Sequence, residues 1–175
     1  MSRPSYVEPL PKAAEALQFL AERRADDPHA LAVGALLHDF GYPERVVAAG
    51  LLHATIGTSV SDFVELRLHF GPAVAGLVEA VTEHGAEAHP AESRARLRRQ
   101  VASAGSRAAA VFAADKLLRV REIRERAARE PGFEPDAAVR EELEEYDASR
   151  RLLERELGDH PLVQALAAEL AALDA

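Results

Sequence analysis

A chain of 175 residues fits one domain and is long enough to bury a sizeable core. Apolar residues make up 48% but aromatics only 5%, with no Trp and no Cys, so the core must be built from Ala, Leu and Val, and disulfides and thiolate metal sites are excluded. A formal charge of −8 argues against broad nucleic-acid binding, which needs Lys and Arg to neutralise phosphates.

Read from its start, MSRPSYVEPLPKAAEAL lacks the apolar stretch of a secretory signal, and nowhere do 18 apolar residues run together. A cytoplasmic protein without a membrane span is therefore expected. Lys12 to Arg24 reads as the first helix, stopping near Asp26-Asp27-Pro28. Pro28 suits a helix start, and the run from His29 to Phe40 is almost wholly apolar. Gly41-Tyr42-Pro43 ends that helix and opens the next, Glu44 to Ala54. Its stretch VVAAGLLHA has hardly a polar atom, the mark of a helix buried on all sides. Ser61 to Phe70 reads as a short amphipathic helix, Gly71-Pro72 as a break, and Pro72 to Thr82 as another apolar helix. Glu92 to Ala102 is a charged helix. Ser106 to Arg126 opens on the buried pattern RAAAVFAADKLL and turns Arg/Glu-rich before Glu130-Pro131-Gly132. Asp136 to Leu157 is amphipathic with many Glu–Arg pairs, and Pro161 to Leu173 is a last short helix. No segment alternates with a period of two, so the expected fold is an all-α bundle of seven to nine helices, one domain over 1–175.

Three polar residues stand where burial makes them expensive. His29 opens an apolar helix, His53 lies in the most apolar one, and Asp115 interrupts AAAVFAA. A buried carboxylate needs a cation, a donor or a metal beside it. Two imidazoles and a carboxylate suit a borderline divalent metal, although each residue alone could be merely hydrogen-bonded. Arg94, Arg96, Arg98, Arg99 and Arg107 cluster, followed by Lys116, Arg119, Arg121 and Arg124. Such a run is either a solvated helix face or a pocket for a phosphorylated small molecule.

The stretch DFGYPERVVAAGLLHATIGTSVSDFVELRLHFGPAVAGLVEAVTEHG resembles the (p)ppGpp hydrolase domain of the RelA/SpoT family, which includes the small alarmone hydrolases, and through it the HD superfamily. The family phrase like HPLAVA is HALAVG here, from His29. The phrase ending LLHD is LLHA with His53, 24 residues on. Phe70-Gly71 through Val74, Leu77, Val78, Val81 and Thr82 match a third phrase, and AADKLLRVR with Asp115 matches the family's LADRL. The resemblance covers about residues 12 to 125, with the helices of 136–173 packing on it. It implies an HD-like helical bundle in which His29, His53 and Asp115 ligate a divalent metal, usually Mn²⁺. It also implies a nucleotide or other phosphorylated ligand, with Arg24, Lys116 and Arg119 as the phosphate-binding candidates. The Asp of the His-Asp dyad is Ala54, and the Glu-Asp pair that serves the attacking water falls on Gly57 and Thr58, neither of which acts as a base near neutral pH. The implied active site is degenerate, and no catalytic residue is assigned.

His38-Asp39 is itself a His-Asp pair, but nine residues of helix put His38 on the opposite face from His29. We expect a C-terminal pair near the negative end of the helix dipole. His84 and His89 read as loop residues, His69 and His160 as surface or cap positions. Three functional readings stand open. The chain is an impaired metal-dependent phosphohydrolase, or a non-catalytic nucleotide-binding or protein-interaction module, or a fold in which the three residues form only a buried network. A homo-oligomer is compatible with all three.

Overall fold

The computed structural model describes residues 4–7, 10–23, 27–54, 60–84 and 90–173. Among these residues a short 3₁₀ turn, Ser5–Val7, precedes eight α-helices: α1 Pro11–Glu22, α2 Pro28–Asp39, α3 Glu44–Leu52, α4 Val60–Val81, α5 Pro90–Ala104, α6 Ser106–Arg129, α7 Ala137–Leu157 and α8 Pro161–Leu173. No strand occurs among the described residues, so the all-α expectation holds.

The helix starts are set locally. Pro28 supplies a first-turn residue with no N–H to satisfy, and the Asp27 side chain caps α2 by accepting the His29 backbone N–H at 2.9 Å. These two residues determine where α2 begins, and so where His29 stands. Gly71, with φ 79° and ψ 169°, interrupts α4 and Pro72 follows it, so the expected break appears as a sharp kink within one element. Helix α6 runs to Arg129, beyond the expected Arg126, and ends as Glu130 turns extended before Pro131. Helix α1 stops at Glu22, with Arg23 as its C-cap. Arg24 lies outside the described residues.

Helices α3 and α6 form the centre. Val46 to Leu52 are buried without a gap, and Ala108 to Ala114 likewise, as expected of segments with no polar face. Helix α3 packs on α1, α2 and α4, and α6 on α2, α3, α4, α5, α7 and α8. Close approach of α2 and α3 depends on two glycines. A Cβ on Gly34 would sit 2.6 Å from Leu51 Cδ2, and one on Gly50 would sit 2.5 Å from Leu37 Cδ1. Helices α7 and α8 pack on α6 and on each other. One continuous apolar cluster extends from Val7 to Leu166.

Candidate metal centre

The first turn of α2, the C-terminus of α3 and the middle of α6 meet at one point. Each delivers one of the three expensive polar residues. His29, His53 and Asp115 each offer a ligand atom, and these atoms lie within 4.8 Å of one another. His29 Nε2 is 2.7 Å from Asp115 Oδ1, and His53 Nε2 is 3.4 Å from the same oxygen. His53 serves as the C-cap of α3, where the expected helix would have continued to Ala54.

The far nitrogens are tied as well. His53 Nδ1 donates to the Gly50 carbonyl at 2.7 Å, one of the acceptors a helix end leaves free. His29 Nδ1 donates to Glu122 Oε1 at 3.0 Å. Both rings therefore turn Nε2 toward Asp115, the orientation in which imidazoles ligate metals while a carbonyl or carboxylate holds the other nitrogen. Glu122 escaped the sequence reading. It lies seven residues after Asp115, two turns along the same helix face, and that spacing was the available signal.

The electrostatics follow from the contacts. Burial opposes a charge on His29, but hydrogen bonds to Asp115 and Glu122, together with the Asp115 charge, outweigh burial and the opposing Arg119. The His29 pKa rises above its ordinary value. Burial also penalises ionised Asp115, yet the Lys116 charge and the donors on His29 and His53 hold its carboxyl well below the usual range. Lys116 Nζ reaches Asp115 Oδ2 at 2.9 Å while lying over the Phe112 and Tyr146 rings. Both oxygens of Asp115 are thus engaged.

Of the phosphate-binding candidates, Lys116 is held by Asp115, and Arg119 pairs with Glu122 at 3.3 Å. The arginine cluster of α5 joins helices together. Arg94 reaches Glu141 and Glu145, Arg98 reaches Glu145, and Arg96 donates to the His84 carbonyl at 2.7 Å. Arg121 and Arg124 share Glu169 on α8. Ala54 is exposed beside the centre, and Gly57 and Thr58 lie outside the described residues.

His38 and Asp39 contact each other at 3.3 Å in the last turn of α2, about 13.5 Å along the axis from His29. His160 accepts the Leu162 backbone N–H at 3.2 Å and so caps α8. His69 is exposed beside Phe19, and His84 is half-buried against Phe63. His89 lies outside the described residues. No described helix is long and apolar enough to cross a membrane.

Comparisons with known proteins bear on the family and the fold. The HD domain family matches residues 16–146, reaching further into α7 than the phrases between 12 and 125. The chain is 35% identical over 124 residues to the guanosine-3′,5′-bis(diphosphate) 3′-pyrophosphohydrolase MESH1 of Xenopus tropicalis, covering 63% of this chain and 68% of that protein. Among solved structures, lmo0812 from Listeria monocytogenes EGD-e superposes with a TM-score of 0.72 at 23% identity, covering 83% of this chain and 94% of that one. A metazoan ortholog of SpoT, described as hydrolysing ppGpp, superposes with a TM-score of 0.70 at 21% identity, covering 99% and 98%. At those identities the two structures speak for the fold alone. With a family match over residues 16–146 and a curated relative 35% identical, the chain belongs to the HD-domain family and is related within it to (p)ppGpp hydrolases.

Proposed function

We propose that this chain binds a divalent cation, Mn²⁺ by family resemblance, through His29, His53 and Asp115, and recognises a nucleotide or related phosphoester with impaired hydrolysis. One observation carries the reading: three donors converge within 4.8 Å, and both imidazoles are held with Nε2 facing inward. The donor set fits a borderline divalent metal. Such an ion, when bound, supplies Lewis acidity and lowers the pKa of water. The chain's own residues provide the ligands and their orientation. Among the described residues of the centre, every carboxylate and imidazole already has a partner, Glu122 with His29 and Arg119 included. Ala54 cannot ligate, Gly57 and Thr58 cannot take a proton near neutral pH, and Asp115 is held ionised by donors on both oxygens.

Calorimetric titration of chelator-treated protein with Mn²⁺ tests the metal, and we expect one ion per chain. Turnover of ppGpp under the same conditions tests the chemistry. Loss of base catalysis predicts a rate about 10²–10⁴-fold below that of a relative retaining its carboxylates. Ala54→Asp should tighten Mn²⁺ binding by restoring the missing carboxylate. Absence of Mn²⁺ binding sinks the metal reading, and rapid ppGpp hydrolysis sinks the impairment. A second reading, a purely structural network, draws on a different observation: no buried side-chain N or O among the described residues lacks a partner. That reading requires Mn²⁺ to leave the melting temperature unchanged.

A further inference from the structure

A cavity of about 380 Å³ opens beside Lys116, between α5, α6 and α7. Its charged lining is Glu83, Glu141, Glu142 and Glu145 against Arg94 and Lys116, four carboxylates to two cations and so a formal balance of −2. The two cations are already committed, Arg94 to Glu141 and Glu145, and Lys116 to Asp115. The remaining wall is apolar and aromatic: Leu97, Phe112 and the ring of Tyr146. Glu141 and Glu145 are paired with arginines, whereas Glu142 accepts the Tyr146 hydroxyl and has no cation paired with it among the described residues. Burial first, and then the Glu142 and Asp115 charges, push the Tyr146 phenol upward, so this hydroxyl stays a neutral donor.

The charge arithmetic restricts the ligand. A divalent ion held by two neutral imidazoles and one carboxylate has a net charge of +1, sufficient to attract one phosphoryl group. Further phosphates laid along α7 would face Glu142 and its neighbours with no uncommitted cation among the described lining residues. Resting on the metal reading above, we infer that this pocket selects a ligand with a single phosphoryl group and an uncharged ring-bearing body, and that Glu142 excludes polyphosphates. The phosphoryl group belongs at the metal centre and the body against Phe112 and Tyr146. Glu142 is here a specificity residue without a part in bond breaking.

Calorimetric titration of the Mn²⁺-loaded protein with guanosine 5′-monophosphate and with ppGpp tests this. The wild-type chain should bind the monophosphate at least tenfold more tightly than ppGpp. Glu142→Lys should narrow or reverse that ratio by tenfold or more. Glu142→Gln, which keeps an acceptor for Tyr146, should narrow it by a smaller factor and guards against a folding defect. Equal or tighter wild-type binding of ppGpp overturns the inference. So does a ratio that both variants leave unchanged, or binding of neither nucleotide. Titration with Mn²⁺ alone separates the two ideas: if the ion fails to bind, the metal reading falls with it, whereas a bound ion with the wrong nucleotide preference condemns the pocket assignment alone.

Discussion

His29 is the most heavily determined residue of the centre. Asp27 and Pro28 set its place at the helix start, Asp115 engages one ring nitrogen and Glu122 the other. Glu122→Gln weakens the acceptor that orients the ring, and we expect Mn²⁺ affinity to fall about 10–100-fold, measured by calorimetry, with the fold retained. The same contacts predict a pH dependence. In metal-free protein the His29 pKa is raised, so its stabilising share is complete below the ordinary 6.5 and lost as pH rises through the folded value. Asp115 is lowered, so its share is complete above the ordinary 3.8 and lost as pH falls through the folded value. Between them, with Glu122, Arg119 and Lys116 facing the pair, stability should peak from about pH 4 to 6.5 in urea unfolding at fixed salt. Added Mn²⁺ should shift that optimum upward, because it competes with the His29 proton. An unmoved optimum would count against metal binding. His29, His53 and Asp115 were legible in the sequence because a polar atom in an apolar helix is conspicuous. Glu122 was not, because it lies among charged residues of α6, where one glutamate looks like the next.

At the scale of the element, the same substitution should have opposite signs at two helical glycines. Gly50 faces Leu37 and Val33 across the α2–α3 contact, and an added methyl would meet Leu37 at 2.5 Å. Gly50→Ala gains about 1 kcal/mol of helix propensity and incurs about 1–3 kcal/mol of overpacking, so net destabilisation is expected. Gly76 in α4 has nothing within 4 Å of an added Cβ, and Gly76→Ala should stabilise by up to about 1 kcal/mol. Denaturant midpoints of the two variants decide the matter, since equal shifts would refute the packing argument. The helices themselves were readable from proline, glycine and apolar runs, which act within a few residues. Their ends moved where tertiary contacts or backbone rules intervened, as at α6 and at the His53 cap of α3.

Across the whole molecule, a single apolar core links helices distant in sequence. Leu166 of α8 is fully buried, whereas Leu68 of α4 is 81% exposed. Leu166→Ala should cost about 2–5 kcal/mol and, at about 2–4 °C per kcal/mol for a chain of this size, lower Tm by about 4–20 °C. Leu68→Ala should leave Tm nearly unchanged. A small effect at Leu166 would show that α8 folds independently of the bundle. The arginine cluster also makes sense at this scale. Arg94, Arg98, Arg121 and Arg124 join α5 to α7 and α6 to α8 through glutamates more than forty residues away.

The sequence by itself determined the all-α class, the identity of the three inward polar residues and the helix starts to within two residues, except that the helix expected from Pro72 continues α4 across its kink. These follow from local backbone preference, from 3.6-residue periodicity and from the cost of burying a charge, each of which acts over one or two turns. Family phrases in their order added the degenerate HD reading. Only the tertiary structure decided that the phosphate-binding candidates Lys116 and Arg119 already hold carboxylates, that Glu122 orients His29, and that the neighbouring cavity is acidic. Ion pairing depends on which side chains lie within a few ångströms after folding, and sequence separation carries little of that information.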